Sequence, residues 1–119
     1  MREEGDRGEQ IALQHLLQKG YRLLRSNYIS PYGEIDLIMY NDQYLVFVEV
    51  RMRANRDFGH PLETVTRTKQ QRIRKTAQHY LMRNPKTTLQ PRIDVVSIDA
   101  PGGGFKRVAV EHIENAFFM

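Results

Sequence analysis

The chain has 119 residues, of which 40% are hydrophobic and 27% are charged, and it contains no cysteine. This size and composition predict one domain spanning residues 1–119 and argue against a disordered protein. The lack of cysteine excludes disulfide bonds, thiolate nucleophiles and sulfur-ligated zinc. The longest apolar run, Tyr44 to Val48, is much shorter than the roughly 20 residues that span a bilayer, and the acidic amino terminus is unlike a signal peptide. We therefore expect a cytoplasmic protein with no membrane contact.

The net charge of +4 is concentrated in the middle of the chain. Residues 51–92 contain 11 Lys and Arg residues against 2 Asp and Glu residues, whereas both flanking segments are net acidic. A basic block within a folded chain indicates a surface for a polyanion, and DNA is the expected partner. The alternative is a solvated helix face that binds nothing. The candidate nucleic-acid-binding residues are Arg53, Arg67, Lys69, Arg72, Arg74 and Lys75.

The first half of the chain predicts one helix followed by three strands. Apolar residues at three- and four-residue spacing indicate a helix over residues 8–19, which Gly20 ends. Short turns then separate three segments that are rich in alternating or β-branched residues. These predicted strands cover residues 21–28, 34–40 and 44–52.

The second half predicts a basic helix and two further strands. The helix is opened by Thr64 or Thr66 as a cap and closes before Asn84 and Pro85. The element order is therefore αβββαβ with a small carboxyl-terminal tail, which indicates an α/β fold. The remaining predicted elements are a fourth strand over residues 93–98, a fifth over 108–110 and a short helix around 114–117.

Acidic residues interrupt two of the most apolar predicted strands. Side chains alternate along a strand, and a turn at residues 41–43 makes these two strands antiparallel neighbours. Asp36 and Glu49 are therefore expected to lie close together. Two adjacent carboxylates need a proton or a cation between them, and Mg²⁺ prefers oxygen ligands of this kind. The alternative is an ion pair of either carboxylate with Arg51 or Arg53 at the rim of the sheet.

These two segments, residues 33–38 and 45–51, resemble the PD-(D/E)XK nuclease signature of Asp, twelve intervening residues and Glu-X-Lys. Nearly the whole chain also resembles the YraN-like family of small bacterial proteins. That resemblance implies a restriction-endonuclease-like core with a central mixed sheet flanked by helices, similar to archaeal Holliday-junction resolvases. Its motifs are Gly8-Glu9 with Ala12, Gly20 to Leu24, Phe58-Gly59 with Pro61, Thr68 to Gln70, Arg92 to Val96, and His112-Ile113 with Asn115 to Phe117.

The resemblance also implies a set of catalytic residues. Asp36 and Glu49 become the principal ligands of Mg²⁺ or Mn²⁺, with the Val50 carbonyl as a further candidate. Glu9 matches the helix-borne acidic residue of resolvase-type sites, although the helix dipole alone also favours Glu in a first turn. We therefore expect Asp36, Glu49 and Glu9 to be metal ligands.

The chain departs from the nuclease signature at Arg51, which stands where the motif has Lys. Arg remains protonated, so Arg51 could stabilise a phosphate by charge and hydrogen bonds but could not act as a base. Lys69 could supply the missing ammonium group, although a phosphate-contacting or solvated Lys is the favoured interpretation.

The predicted function is a Mg²⁺-dependent endonuclease that hydrolyses DNA phosphodiester bonds, with branched or Holliday-junction DNA as a candidate substrate and a homodimer as a candidate assembly. One alternative is a catalytically inactive nucleic-acid-binding module, which Arg51 favours. Another is an interaction protein whose carboxylates only pair with arginines. Asp94 and Arg92 are predicted to form a structural ion pair, and the four histidines are predicted to be solvated or packed rather than to bind metal.

Overall fold

A computed structural model describes residues 3–54, 59–103 and 107–119 of the chain. The described part contains two α-helices and five strands in the predicted order. Short 3₁₀ turns at Pro61–Thr64 and Pro101–Gly103 lie in the connections. The elements are α1 (Glu3–Gln18), β1 (Arg22–Ser30), β2 (Gly33–Tyr40), β3 (Tyr44–Arg53), α2 (Arg67–Arg83), β4 (Gln90–Asp99) and β5 (Ala109–Ile113).

The five strands form one mixed sheet in the spatial order β1-β2-β3-β4-β5. Strands β1, β2 and β3 are antiparallel neighbours, and β4 is antiparallel to β5. The β3–β4 pair is parallel, so the chain between them must cross over the sheet, and α2 makes this crossover. The predicted α/β fold with a mixed central sheet is confirmed, and it is consistent with a restriction-endonuclease-like core.

The two helices cover opposite faces of the sheet. Ala12 and Leu16 of α1 are buried in a cluster with alternate β-strand residues that include Val46. Ile73 of α2 is buried in a second cluster, which includes Phe47. Because Val46 and Phe47 are consecutive in β3, their opposite placement follows directly from strand alternation. The prediction that helices flank the sheet is confirmed.

The helix ends follow their capping residues. Gly20 has a φ angle of +95°, a left-handed conformation that costs glycine little, and its N–H donates to the Leu17 carbonyl. At the start of α2, the Thr66 hydroxyl accepts a hydrogen bond from Lys69 N–H at 3.2 Å, so Thr66 is the cap. No helix in the part of the chain that the structure describes is long and apolar enough to cross a membrane.

The short helix predicted around residues 114–117 is wrong, because this segment forms a turn. Asn115 adopts a left-handed φ of 50°, and its N–H donates to the Asp94 carboxylate at 2.9 Å. Ala116 N–H donates to the Ile93 carbonyl at 2.8 Å. Bonds from these amides to β4 replace the bonds that a helix would have made within the segment.

Strand β1 lies at one edge of the sheet and is irregular. Its pairing with β2 shifts register between Leu23 and Arg25, which marks a β-bulge. Further along the strand, Asn27 has a left-handed φ of 53°. Most of its residues are exposed, including Arg22 and Arg25. The strand therefore presents a kinked, positively charged outer edge.

Candidate active site

Asp36 and Glu49 meet where β2 and β3 separate. Their antiparallel pairing runs from Tyr40 and Leu45 to Leu37 and Val48, so the next residues of the two strands are Asp36 and Glu49, on the same face. Beyond this point the strand ladder is replaced by a side-chain contact, because Val50 N–H donates to Asp36 Oδ2 at 2.7 Å. The predicted proximity of the two carboxylates is therefore present in the structure.

The two carboxylates interact strongly. Burial is the largest of the effects that raise the pKa of Asp36 from 3.8 to about 8, and the negative charge of Glu49 is the second. The hydrogen bond from Val50 N–H lowers this pKa and so acts in the opposite direction. A hydrogen bond between the Asp36 and Glu49 side chains also favours protonation of Asp36. In the absence of a metal ion, Asp36 therefore holds a proton at neutral pH.

Lys69 of α2 reaches into this pair. Its Nζ lies 2.9 Å from Glu49 Oε2, and Glu49 itself is 5% exposed. Arg51 lies farther away, with Nη1 at 3.7 Å from the same oxygen, while Arg51 Nε donates to Thr64 Oγ1 at 3.2 Å. Lys69 is therefore the closer cation to Glu49. The sequence favours a solvated or phosphate-contacting Lys69 and does not predict this contact.

The carboxylate pair lies in an open depression of about 380 Å³ between β2, β3 and the first turns of α2. Acidic residues are contributed by the strands, whereas hydroxyl and cationic groups are contributed by the helix. This combination can hold a phosphate-containing ligand over carboxylates. The lining residues are Gly33, Glu34, Asp36, Glu49, Val50, Thr66, Thr68, Lys69, Arg72 and Ile73. Thr66 and Thr68 were not predicted as site residues, because only their position at the start of a basic helix distinguishes them.

The predicted basic residues are not equivalent in the structure. Arg67, Arg72 and Lys75 are exposed on α2, whereas Arg74 donates through Nε to the Phe118 carbonyl. Arg53 lies elsewhere and is 7% exposed.

The Arg53 guanidinium is occupied by contacts within the protein. It forms a two-pronged ion pair with Asp99, at 2.8 and 3.1 Å, and donates to the Gly59 carbonyl. Because these contacts bury the guanidinium, a phosphate group could not reach it without breaking them. We therefore remove Arg53 from the candidate DNA-binding surface.

Glu9 is not part of the carboxylate pair. It lines a separate depression of about 250 Å³ near β1, and its carboxylate accepts from Asn27 Nδ2 at 3.4 Å. Its negative charge adds a small contribution to the raised pKa of Asp36. Within the described residues, no three His, Asp or Glu side chains converge into a metal-ligating group. The role of Glu9 as a third ligand stays a prediction.

A second buried polar cluster lies on the α1 face of the sheet. The predicted ion pair is confirmed, because Arg92 Nε and Nη2 donate to the two oxygens of the fully buried Asp94 at 2.9 and 2.8 Å. Burial alone would raise the pKa of Asp94, but hydrogen bonds from His112, Arg92 and Asn115 outweigh it and hold the pKa below its usual value. This cluster joins β4, β5 and the carboxyl-terminal turn.

His112 has a polar role in that cluster. Its Nδ1 is 2.6 Å from Lys19 Nζ, and its Nε2 is 2.7 Å from Asp94 Oδ2. An ammonium group can only donate, so Nδ1 accepts and the ring proton of neutral His112 lies on Nε2, facing the carboxylate. Sequence spacing could not identify this role, because Lys19, Asp94 and His112 come from three separate parts of the chain.

Comparison with known proteins gives the family of the chain. A model of the "Uncharacterised protein family UPF0102" matches residues 8–98. A UPF0102 protein of Prosthecochloris aestuarii is 46% identical, over 96% of this chain and 92% of its own. Another, of Saccharophagus degradans, is 47% identical over 98% and 94%, and one of Thermodesulfovibrio yellowstonii is 40% identical over 98% and 96%. The predicted resemblance to the YraN-like family is confirmed.

Proposed function

Since this chain belongs to the uncharacterised protein family UPF0102, we propose its function from the site itself: a metal-dependent endonuclease that hydrolyses DNA phosphodiester bonds. The observation that carries this proposal is the contact of Asp36 with Glu49, together with the Lys69 ammonium 2.9 Å from Glu49, at the foot of a basic helix. Carboxylates and an ammonium group beside a polyanion-binding surface are the groups that phosphodiester hydrolysis needs.

The carboxylate pair fits a divalent cation. Two carboxylates in hydrogen-bonding contact cannot both ionise at low cost, as the raised pKa of Asp36 indicates. Mg²⁺ or Mn²⁺ would be held by Asp36 and Glu49, both of which supply oxygen ligands, with Glu9 and the Val50 carbonyl as further candidates. When bound, such an ion supplies Lewis-acid stabilisation and lowers the pKa of water.

The remaining groups are suited to hold the substrate. The Lys69 ammonium and the Arg51 guanidinium lie on the Glu49 side of the depression, where they can neutralise a scissile phosphate. The exposed cations of α2 can hold the adjoining backbone, a type of contact that fixes position without reading sequence. In hydrolysis, water adds to phosphorus and the bond to the leaving sugar oxygen breaks, so these residues stabilise the additional negative charge on the phosphate.

Branched or Holliday-junction DNA is the narrower substrate proposal, and a homodimer is the assembly that would suit a two-fold branched substrate. Recognition through backbone contacts would depend on DNA shape rather than on base sequence. Sedimentation of the protein with and without four-way DNA would give the stoichiometry. One protein chain on each four-way junction would contradict the dimer.

A second candidate function is a DNA-binding module without cleavage. Two observations favour it: Arg51 replaces the motif Lys, and Glu49 already has a protein cation at 2.9 Å. Such a module would bind DNA through the same basic helix in a salt-sensitive manner but would have no need of a divalent ion.

The discriminating experiment compares labelled linear, flapped, forked and four-way DNA in Mn²⁺ and in EDTA. The nuclease proposal predicts cleavage in Mn²⁺ that Glu49→Gln reduces by at least about 10³-fold, because a ligand charge is lost. Asp42→Asn is the matched control, since it removes an exposed carboxylate from the same β2–β3 hairpin at its other end. Binding without cleavage on every substrate would favour the binding module.

A further inference from the structure

The turn between β1 and β2 presents an aromatic ring close to the candidate active site. Tyr32 is 50% exposed, and the residue that follows it, Gly33, lines the depression of the carboxylate pair. Lys75 Nζ lies 5.9 Å from the centre of the Tyr32 ring, and the His79 ring meets it edge-on at 6.4 Å. A half-exposed ring beside a cation and an imidazole is suited to stacking on a planar group.

The turn that carries Tyr32 is fixed to α2. Ser30 Oγ accepts from Tyr32 N–H at 3.1 Å and lies 3.0 Å from Oγ1 of the buried Thr76. Gly33 continues the turn with a φ of +150°, and a Cβ there would lie 3.6 Å from the Arg72 side chain. The backbone that carries the ring is therefore held in place before any ligand binds, which lowers the entropy cost of stacking.

A row of cations connects the carboxylate pair with this ring. Lys69, Arg72 and Lys75 follow one another at three-residue spacing along α2, so they lie on one side of the helix. Lys69 contacts Glu49, Arg72 lines the depression, and Lys75 lies beside Tyr32. Lys75 follows Lys69 by six positions, which is about 9 Å along the helix axis. A single strand of DNA can follow this row from the carboxylate pair to the ring.

We propose that Tyr32 stacks on an unpaired base of the DNA strand whose phosphate lies at Asp36 and Glu49. The inference rests on the proposed function and adds a substrate class: DNA with single-stranded nucleotides beside the scissile phosphate, as in a flap or an opened branch point. Inside a duplex both faces of each base are covered by its neighbours, so the ring has no free base face to contact there. The cations hold either kind of DNA, whereas the ring distinguishes them.

The test measures binding rather than cleavage. In a Glu49→Gln background and in EDTA, fluorescence anisotropy would compare a labelled duplex carrying a thymidine flap with a blunt duplex of the same sequence. Tyr32→Leu should weaken binding of the flapped DNA about tenfold and change binding of the blunt duplex by less than about twofold. Tyr32→Phe is the matched control, because it keeps the ring and should keep the affinity.

Arg67→Gln provides a second control, since Arg67 is exposed on α2 and loss of a phosphate contact there should weaken both DNAs to a similar extent. Equal effects of Tyr32→Leu on the two DNAs, or no effect on either, would overturn the stacking. Thermal denaturation would show that each variant is folded. If the wild-type protein cuts no DNA but Tyr32→Leu weakens binding of the flapped DNA alone, the stacking is supported and only the nuclease proposal is overturned. If the wild type cuts DNA but Tyr32→Leu causes no flap-specific loss, the nuclease proposal is supported and the stacking is overturned.

Discussion

Lys69 Nζ lies 2.9 Å from Glu49 Oε2, although the two residues are on different elements, α2 and β3. Glu49 is buried, so this contact compensates a charge that would otherwise be costly inside the sheet. The nuclease motif would place an ammonium group at position 51, two residues after Glu49 on the same strand. Here Arg51 occupies that position, and an ammonium group contacts Glu49 from the crossover helix instead.

If Lys69 supplies the ammonium function, Lys69→Met should reduce the rate of DNA cleavage by about 10²-fold, since one charge that stabilises the phosphate is lost. DNA affinity should fall far less, because the other cations of α2 remain. Single-turnover cleavage and binding, measured separately, would show the difference. Lys86→Met removes an exposed Lys beyond the end of α2 and is the matched control. A Lys69→Met protein that cleaves at the wild-type rate would exclude this role.

The raised pKa of Asp36 predicts an unusual pH dependence of stability. A carboxyl group with a pKa of about 8 in the folded state and 3.8 in the unfolded state takes up a proton on folding at pH values between these two. Folding is therefore disfavoured increasingly as pH rises from about 4 to 8. In EDTA, the free energy of unfolding should fall across this range for the wild type and fall less for Asp36→Asn. Urea denaturation at several pH values would measure both.

The same substitution should stabilise the metal-free protein at pH 8 by roughly 1–2 kcal/mol, because it removes the repulsion between the carboxylates. Mn²⁺ should then raise the melting temperature of the wild type but not that of Asp36→Asn. An equal shift in the two proteins would mean that the ion binds elsewhere.

The buried Arg92–Asp94 pair predicts a large loss of stability. Asp94→Asn leaves the Arg92 guanidinium without its carboxylate inside the protein, and the free energy of unfolding should fall by about 3–5 kcal/mol. Because the pKa of Asp94 is lowered on folding, the contribution of this carboxylate is lost as pH falls below about 4, through its folded-state pKa. Below about pH 4, the free energy of unfolding should therefore fall less steeply with decreasing pH in Asp94→Asn than in the wild type. A loss below about 1 kcal/mol would contradict this account.

The exposed cations of α2 predict a measurable salt dependence of DNA binding. Each phosphate contact contributes about 0.9 to the slope of log affinity against log salt. Arg67→Gln and Arg72→Gln should each reduce that slope by about one and weaken binding to any DNA sequence. Lys86→Gln, which removes the same charge outside this surface, should leave the slope unchanged. Anisotropy titrations at several salt concentrations give these slopes directly.

Local patterns in the sequence predict much of this molecule. Strand alternation and a short turn are enough to place Asp36 and Glu49 together, because both effects act over a few residues. The contact of Lys69 with Glu49 depends on how the crossover helix docks on the sheet, which no local spacing describes. The carboxyl-terminal turn was missed for a similar reason: Asn115 and Ala116 bond to β4, about 20 residues earlier in the chain.

The outer edge of β1 has a consequence for how the protein behaves at high concentration. A regular edge strand offers a straight row of amide and carbonyl groups on which a strand from another molecule can grow. In β1 the bulge near Leu23, the left-handed Asn27 and the charges of Arg22 and Arg25 break that row. These features disfavour the addition of a strand from another molecule, so the exposed edge is a poor starting point for fibrils even in a crowded solution.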